Sequence, residues 1–456
     1  VWGIHHNWGD PGFGDTLLGA ALGHGGSAPW TPWASGLADG GEEWGMFATD
    51  LADFDVDGRL DLSSQSFGGS NGQRLYENTG DGSWSQARTA GGGSVGDTLK
   101  TGDINADGYP DIACTRFGTA VFLGAGAFGF TAAVSGLPTE FISGVDLGDI
   151  NGDGRDDLAL CTGSGGIGCY TFDDFSASWA SASAGLPASG GYSRAQLGDL
   201  NGDGHLDIVG FDGPQGQVFL GNGAGTWTAD ATWTMPSPGA VSALRVDGDV
   251  DHDGREDIVI AASMSGFPFY RNQLRLYSPW QEPAELSARV VSPSGGETMH
   301  LGSTRWIRWL AAVPPADCPG EAEIQLSRSG PAGPWVTIAS GLPNSGRYQW
   351  SVSPTGPSAT CRIRVIITTP SGSIVADSAA DFTLAGDGVE TLDVSFQCQP
   401  ESGVLPFQTA MLMELTNLHT DKRRFAARID VALAGGLVYS GWRAGFANVN
   451  GSDTLV

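Results

Sequence analysis

Five times in this chain an aspartate opens a nine-residue run with oxygen-bearing side chains at positions 1, 3, 5 and 9 and a glycine at position 6. The first run offers Asp53, Asp55, Asp57 and Asp61, the second Asp103, Asn105, Asp107 and Asp111, and the third Asp149, Asn151, Asp153 and Asp157. The fourth offers Asp199, Asn201, Asp203 and Asp207, and the fifth Asp249, Asp251, Asp253 and Asp257. Carboxylates crowded this closely repel one another unless a cation sits between them, and calcium takes six to eight oxygen ligands. The glycine allows a sharp turn, which leaves the position-7 carbonyls of Arg59, Tyr109, Arg155, His205 and Arg255 free to point inward. The chemistry this spacing suits is calcium binding, at about five sites.

The loops match the first nine positions of an EF-hand, but the glutamate expected at position 12 is absent and no helix-like pattern follows. Apolar, strand-like stretches follow instead: LDL, PDIAC, DDLAL, LDIVG and EDIVI. The opening aspartates are 50, 46, 50 and 50 residues apart. A period of that length with four short strands per unit marks a propeller blade. In the third unit FISGVDLGDI leads into the loop, DLALCTG leaves it, GIGCYTF follows, and a fourth run carries Trp179. The acidic loop is then the hairpin between a blade's first two strands.

With these residues in place the chain resembles the FG-GAP or VCBS-type repeats of integrin alpha-subunit propellers and of secreted bacterial propellers. The resemblance covers residues 1–280 and implies calcium held in each first hairpin. It does not imply one activity, because function resides in sites grafted on a fold. Residues 1–37 align with the last three strands of a blade whose first strand and loop are missing, so six blades are visible. A seventh belongs upstream if N-terminal residues have been lost. The chain opens without methionine or a signal peptide, which reads as processing or trimming.

After Pro283 the pattern changes. Residues 285–386 show seven or so alternating strands with frequent turn signals, the pattern of a β-sandwich. The motif Pro293, Gly295, Gly296, Glu297, Gly302, Ile307 and Trp309 is similar to that of bacterial Ig-like or fibronectin-like modules, which implies a spacer; Trp309 and Trp350 read as core residues before they read as ligand platforms. Residues 390–456 begin a second Ig-like sandwich, short enough to be partial or to be completed by another chain. The expected fold class is therefore all-β: a β-propeller followed by two Ig-like β-sandwich domains.

The net charge of −28 argues against nucleic acid as a partner, and no window is apolar enough for a membrane span. Six cysteines fit export, with Cys161 and Cys169 as one disulfide candidate across neighbouring strands and Cys318 and Cys361 as another. Cys114 and Cys398 read as buried thiols. His5, His6 and His24 lie near Asp10 and Asp15 and read as surface or inter-strand histidines before they read as a base or metal site. No catalytic motif is present, and the recurring aromatics Trp84, Phe130, Trp179 and Trp227 fit packing better than sugar stacking. The expectation is a secreted or cell-surface, non-catalytic binding or adhesion protein that engages a glycan or protein at a propeller face. Two alternatives stay open: a subunit of an extracellular fibre or coat that self-associates through residues 390–456, and a polysaccharide lyase or hydrolase.

Overall fold

The computed structural model describes residues 2–3, 18–23, 29–37, 46–66, 73–90, 98–116, 118–235, 240–246, 248–264, 271–278, 282–353 and 356–386, together with the backbone of strands between 392 and 455. Among them there is no helix. Short apolar runs bounded by glycine and aspartate become strands, and those before residue 280 form small antiparallel sheets, consistent with β-propeller-like repeats.

Four consecutive sheets have four strands each, and in each the spatial order is the sequence order. The third sheet is typical: Ser143–Gly148, Asp157–Cys161, Ile167–Asp173 and Ser178–Ser181. A fifth sheet has three strands, Ala240–Val246, Ile258–Met264 and Arg271–Tyr277. At the N-terminus Trp2–Gly3 pairs with Leu18–Gly19, and Ala21–Leu22 pairs with Thr31–Pro32. These short pairs follow the order expected of an incomplete first unit.

All five residues of Asp157–Cys161 are buried because both faces of the strand are covered. Side chains alternate across a strand. Accordingly Leu158 and Leu160 enter a core shared with the preceding sheet, through Val121 and Leu123, while Ala159 and Cys161 enter one shared with the following sheet, through Leu197 and Ile208. The cores thus lie between consecutive sheets, and Leu160→Ala would cost about 2–5 kcal/mol. The fourth strand is the outer one: in Trp227–Thr234 only Trp227 is buried.

The recurring tryptophans staple one unit to the next. The indole Nε1 of Trp179 donates to the Ala133 carbonyl at 2.9 Å and its backbone N to Ser135 O at 2.8 Å. Trp227 does the same to Ala182 and Ala184, and Trp84 to Trp33 and Ser35. Gly136, at φ 90°, sits directly under the Trp179 carbonyl, where a Cβ would collide with it. The Trp84 staple also ties the short N-terminal pairs to the first complete sheet.

Residues 287–385 form nine strands rather than about seven. Ser287–Ser292, Thr304–Ala312 and Arg347–Ser351 make one sheet. Thr298–His300, Glu321–Ser327, Trp335–Pro343, Ser358–Thr369, Gly372–Asp377 and Phe382–Ala385 make the other. One core lies between them, with Trp309 and Trp350 buried in it as expected. Toward the C-terminus a three-stranded sheet (Leu392–Gln399, Ala410–Asn417, Ser452–Leu455) and a two-stranded one (Arg423–Leu433, Gly436–Ala447) complete the described strands.

Neither expected disulfide forms, and none of the five described cysteines is disulfide-bonded. The strand register sets Cys169 opposite Ala159 and Cys161 opposite Ile167. The two thiols share a face but are offset by two residues, a diagonal separation of about 7–8 Å between Cα atoms, too long for a disulfide. Cys318 is exposed while Cys361 is buried in the core. Cys398 and the histidine group His5, His6 and His24 with Asp10 and Asp15 lie outside the residues whose side chains are described.

Candidate metal centres

Each acidic run joins the first two strands of a repeat, and all five fold alike. The position-1 aspartate accepts the position-6 glycine N–H on Oδ2: Asp53 from Gly58, Asp103 from Gly108, Asp149 from Gly154, Asp199 from Gly204 and Asp249 from Gly254, at 2.8–3.1 Å. The position-9 aspartate turns back and accepts the position-2 N–H. Asp61, Asp111, Asp157, Asp207 and Asp257 bind Phe54, Ile104, Ile150, Leu200 and Val250 in this way, at 2.7–3.2 Å. Position 5 accepts the position-7 N–H, as Asp57 does from Arg59 and Asp203 from His205. These bonds wrap the loop around its own acidic side chains.

The turn requires left-handed backbone at position 6, supplied by glycine at φ 81–94° in all five loops. Position 4 is left-handed too. Gly152 and Gly202 meet this easily, but Val56 (φ 63°), Ala106 (54°) and His252 (60°) hold it against Cβ sterics. The sequence reading placed only the position-6 requirement.

Carboxylate oxygens of Asp53, Asp55 and Asp57 lie within 4.8 Å of one another, as do those of Asp249, Asp251 and Asp257. Position 9 is buried in every loop, and Asp61, Asp111, Asp157 and Asp207 are fully buried. Oδ1 of Asp103, Asp157 and Asp257 is buried with no hydrogen-bond partner. A buried carboxylate oxygen without a donor is costly, and a cation would relieve it. Burial raises the carboxyls well above their usual range: Asp61 and Asp157 to about 8, Asp207 and Asp249 to about 7, and Asp55 to about 6. Neighbouring aspartates add to the shift in each case. Asp103 and Asp111 move in the same direction for the same reasons. An all-oxygen, anionic, preformed set of this kind fits a hard divalent cation.

Two side chains the motif did not single out connect the loops. Asp156, at position 8 of the third loop, accepts the Asp103 N–H at 2.7 Å and returns its own N–H to Asp103 O at 3.0 Å. Glu256 forms the same pair with Asp199, at 2.8 and 3.2 Å. Gly102 and Gly198, just before the receiving aspartates, leave room for these carboxylates; a Cβ there would strike them. The recurring Gly-Asp dipeptide was the available signal. Of the position-7 side chains, Arg59 pairs with Asp57 of its own loop and Tyr109 stacks on His300 at 4.2 Å between ring centroids.

A sequence model of the FG-GAP-like repeat matches residues 53–114, 149–210 and 199–260, and the three matches take in all five loops. The chain carries FG-GAP-like repeats. Such repeats are typical of extracellular proteins, and no helix among the described residues is long and apolar enough to cross a membrane. No curated protein matches the sequence. Among solved structures, Sqt1 of Saccharomyces cerevisiae is similar at 11% identity and TM-score 0.36, over 82% of this chain and 93% of its own. The Malassezia sympodialis allergen Mala s 1 is similar at 11% identity and TM-score 0.33, over 50% and 74%. A putative 6-phosphogluconolactonase from Bacteroides uniformis is similar at 12% and 0.29, over 70% and 91%. At these scores the likenesses carry no argument.

Proposed function

We propose that this chain is an exported, calcium-stabilised β-propeller with Ig-like modules, and that it binds a glycan or protein without catalysis at a cell surface or outside the cell. What supports the calcium assignment most is the set of buried, partnerless oxygens on Asp103, Asp157 and Asp257 inside loops built only of hard donors. In each loop the side chains at positions 1, 3, 5 and 9 and the position-7 carbonyl would hold the ion. Its contribution is structural: it neutralises carboxylates that the packing has already buried.

The topology also suggests where a ligand sits. Because the acidic hairpins join first and second strands, the second-to-third hairpins, such as Thr162–Gly166, and the repeat-to-repeat connections leave the sheets at the opposite edge. Binding residues concentrate on such loops held by a rigid scaffold. We place the ligand there.

Calorimetric titration of metal-free protein with calcium should give about five sites. Asp153→Ala should remove one of them, while Arg155→Ala should leave the count unchanged because position 7 contributes a carbonyl. Calcium-loaded protein should then be screened against polysaccharides and surface proteins, with depolymerisation assayed on the same samples. Retention without turnover supports the reading; turnover would replace it with the lyase or hydrolase alternative. The fibre alternative draws on the small separate sheets between 392 and 455, and ordered self-association lost on deleting residues 390–456 would favour it.

A further inference from the structure

The five loops are far apart in sequence, yet all of them meet one short stretch of the chain outside the repeats. Thr304 donates its backbone N–H to Asp53 Oδ2 at 2.8 Å and its hydroxyl to Gly58 O at 2.6 Å, which ties it to the first loop. Arg305 donates to the Gly108 carbonyl of the second. Gly296 lies against Gly154 of the third so closely that a Cβ on Gly154 would come within 2.9 Å of the Gly296 Cα. Arg289 pairs with Asp199 of the fourth. Val313 donates to His252 O of the fifth at 2.8 Å, and Arg308 pairs with Glu256 of the same loop at 2.6 Å. Residues 289–313 therefore touch every loop.

We propose that the strip 289–313 is the dedicated partner of the acidic loops, and that metal binding in the loops and docking of this strip reinforce each other. The proposal rests on the calcium reading above. Two observations carry it. The first, which bears on docking alone, is charge complementarity: Arg289, Arg305 and Arg308, three of the chain's 23 basic residues, are the strip's links to three strongly anionic loops. The second is which acceptors are used. Thr304 and Arg289 take the position-1 Oδ2, the oxygen that already receives the position-6 N–H, and the remaining backbone contacts go to carbonyls at positions 4, 5 and 6, the one at position 5 being Asp107 O against His300 Nε2. The other position-1 oxygen, Oδ1, the side chains at positions 3, 5 and 9 and the position-7 carbonyl remain for the ion. The strip grips the outside of each loop while the ion would hold the inside, so neither displaces the other. A loop fixed in shape by an ion presents its outer acceptors in register, and by linkage a docked strip raises the affinity for the ion by the same factor.

The test uses the full chain. Hydrogen exchange at the Thr304 and Val313 amides, measured metal-free and with saturating calcium, should slow at least about tenfold on loading, within the usual range of coupling. Calcium titration of Arg305→Ala, and separately of the more exposed Arg289→Ala, should show weaker binding by a similar factor. Calcium binding with unchanged exchange at both amides and unchanged affinity in both variants would overturn the proposal and leave the calcium reading standing. If the unmodified chain binds no calcium at all, the calcium reading falls and this proposal falls with it. Should Arg305→Ala fail to fold, Arg289→Ala and the exchange measurement still decide.

Discussion

In the repeats, Asp61, Asp111, Asp157, Asp207 and Asp257 are as deeply buried as the leucines beside them. Between 287 and 385 the core is built from Trp309, Ile324, Trp350, Ile363 and Leu384, and the buried polar residues described there include no carboxylate. Both regions are all-β and both bury large aromatics. Their stability nevertheless depends on different things: apolar packing suffices for the second region, whereas the first has placed negative charge where solvent cannot screen it.

The largest separation between the two should come from removing metal. An ion that binds only the folded state contributes about 2.7 kcal/mol per site at a hundredfold excess over Kd, and several sites act on one set of sheets. Chelation should therefore lower the melting temperature of the repeats far more than that of residues 287–385. Scanning calorimetry with and without chelator reads this directly, and equal shifts in the two transitions would break the comparison.

Packing should show the regions as alike. Trp179→Ala and Trp309→Ala should each cost about 3–5 kcal/mol, the first acting on the repeat transition and the second on the other. Denaturant unfolding followed by region-resolved hydrogen exchange would assign each loss.

A smaller but more telling contrast is the response to pH without metal. Asp61 and Asp157 are raised by burial to about 8 when folded, against an unfolded value of about 4. A raised carboxyl stabilises the fold below its unfolded value and loses that stabilisation as pH rises through the folded one. Metal-free repeats should thus lose stability steadily from about pH 4 to pH 8, while calcium-loaded repeats should not. A series of melting temperatures in metal-free buffers checks the sign, and a rise over that window would contradict it.

The smallest effect concerns backbone alone. Val56→Gly relieves a β-branched residue held in left-handed geometry and should stabilise the first repeat by about 1 kcal/mol. Equilibrium unfolding of the calcium-loaded protein would detect it.

The loops, their period and the four-strand unit were legible because each leaves a local mark: oxygen-bearing side chains at positions 1, 3, 5 and 9, a glycine where the chain reverses, and an apolar run after it. The burial of Trp309 and Trp350 was legible for the same reason, since alternation in a strand fixes which residues face inward. What depends on distant pairing was not. The offset between Cys161 and Cys169 is set by where a hairpin turns, and one slipped pair changes a bridge into two separate thiols. Asp156 and Glu256 stand at a position the motif leaves open, and their donors come from a neighbouring loop about fifty residues away. The meeting of residues 289–313 with five loops spread over two hundred residues has no sequence period to announce it.

The tryptophan staples bear on how such a chain can be lengthened or shortened. Trp179 closes over Ala133 and Ser135, and Trp227 over Ala182 and Ala184, so at these junctions the last segment of one unit is held by the outer strand of the next. A cut made at the aspartate period would leave a tryptophan without its acceptors on one side and a glycine turn without its lid on the other. The unit that can be duplicated or removed intact therefore starts just after one staple and ends just after the next. Recombination at any other phase leaves two mismatched ends inside the stack.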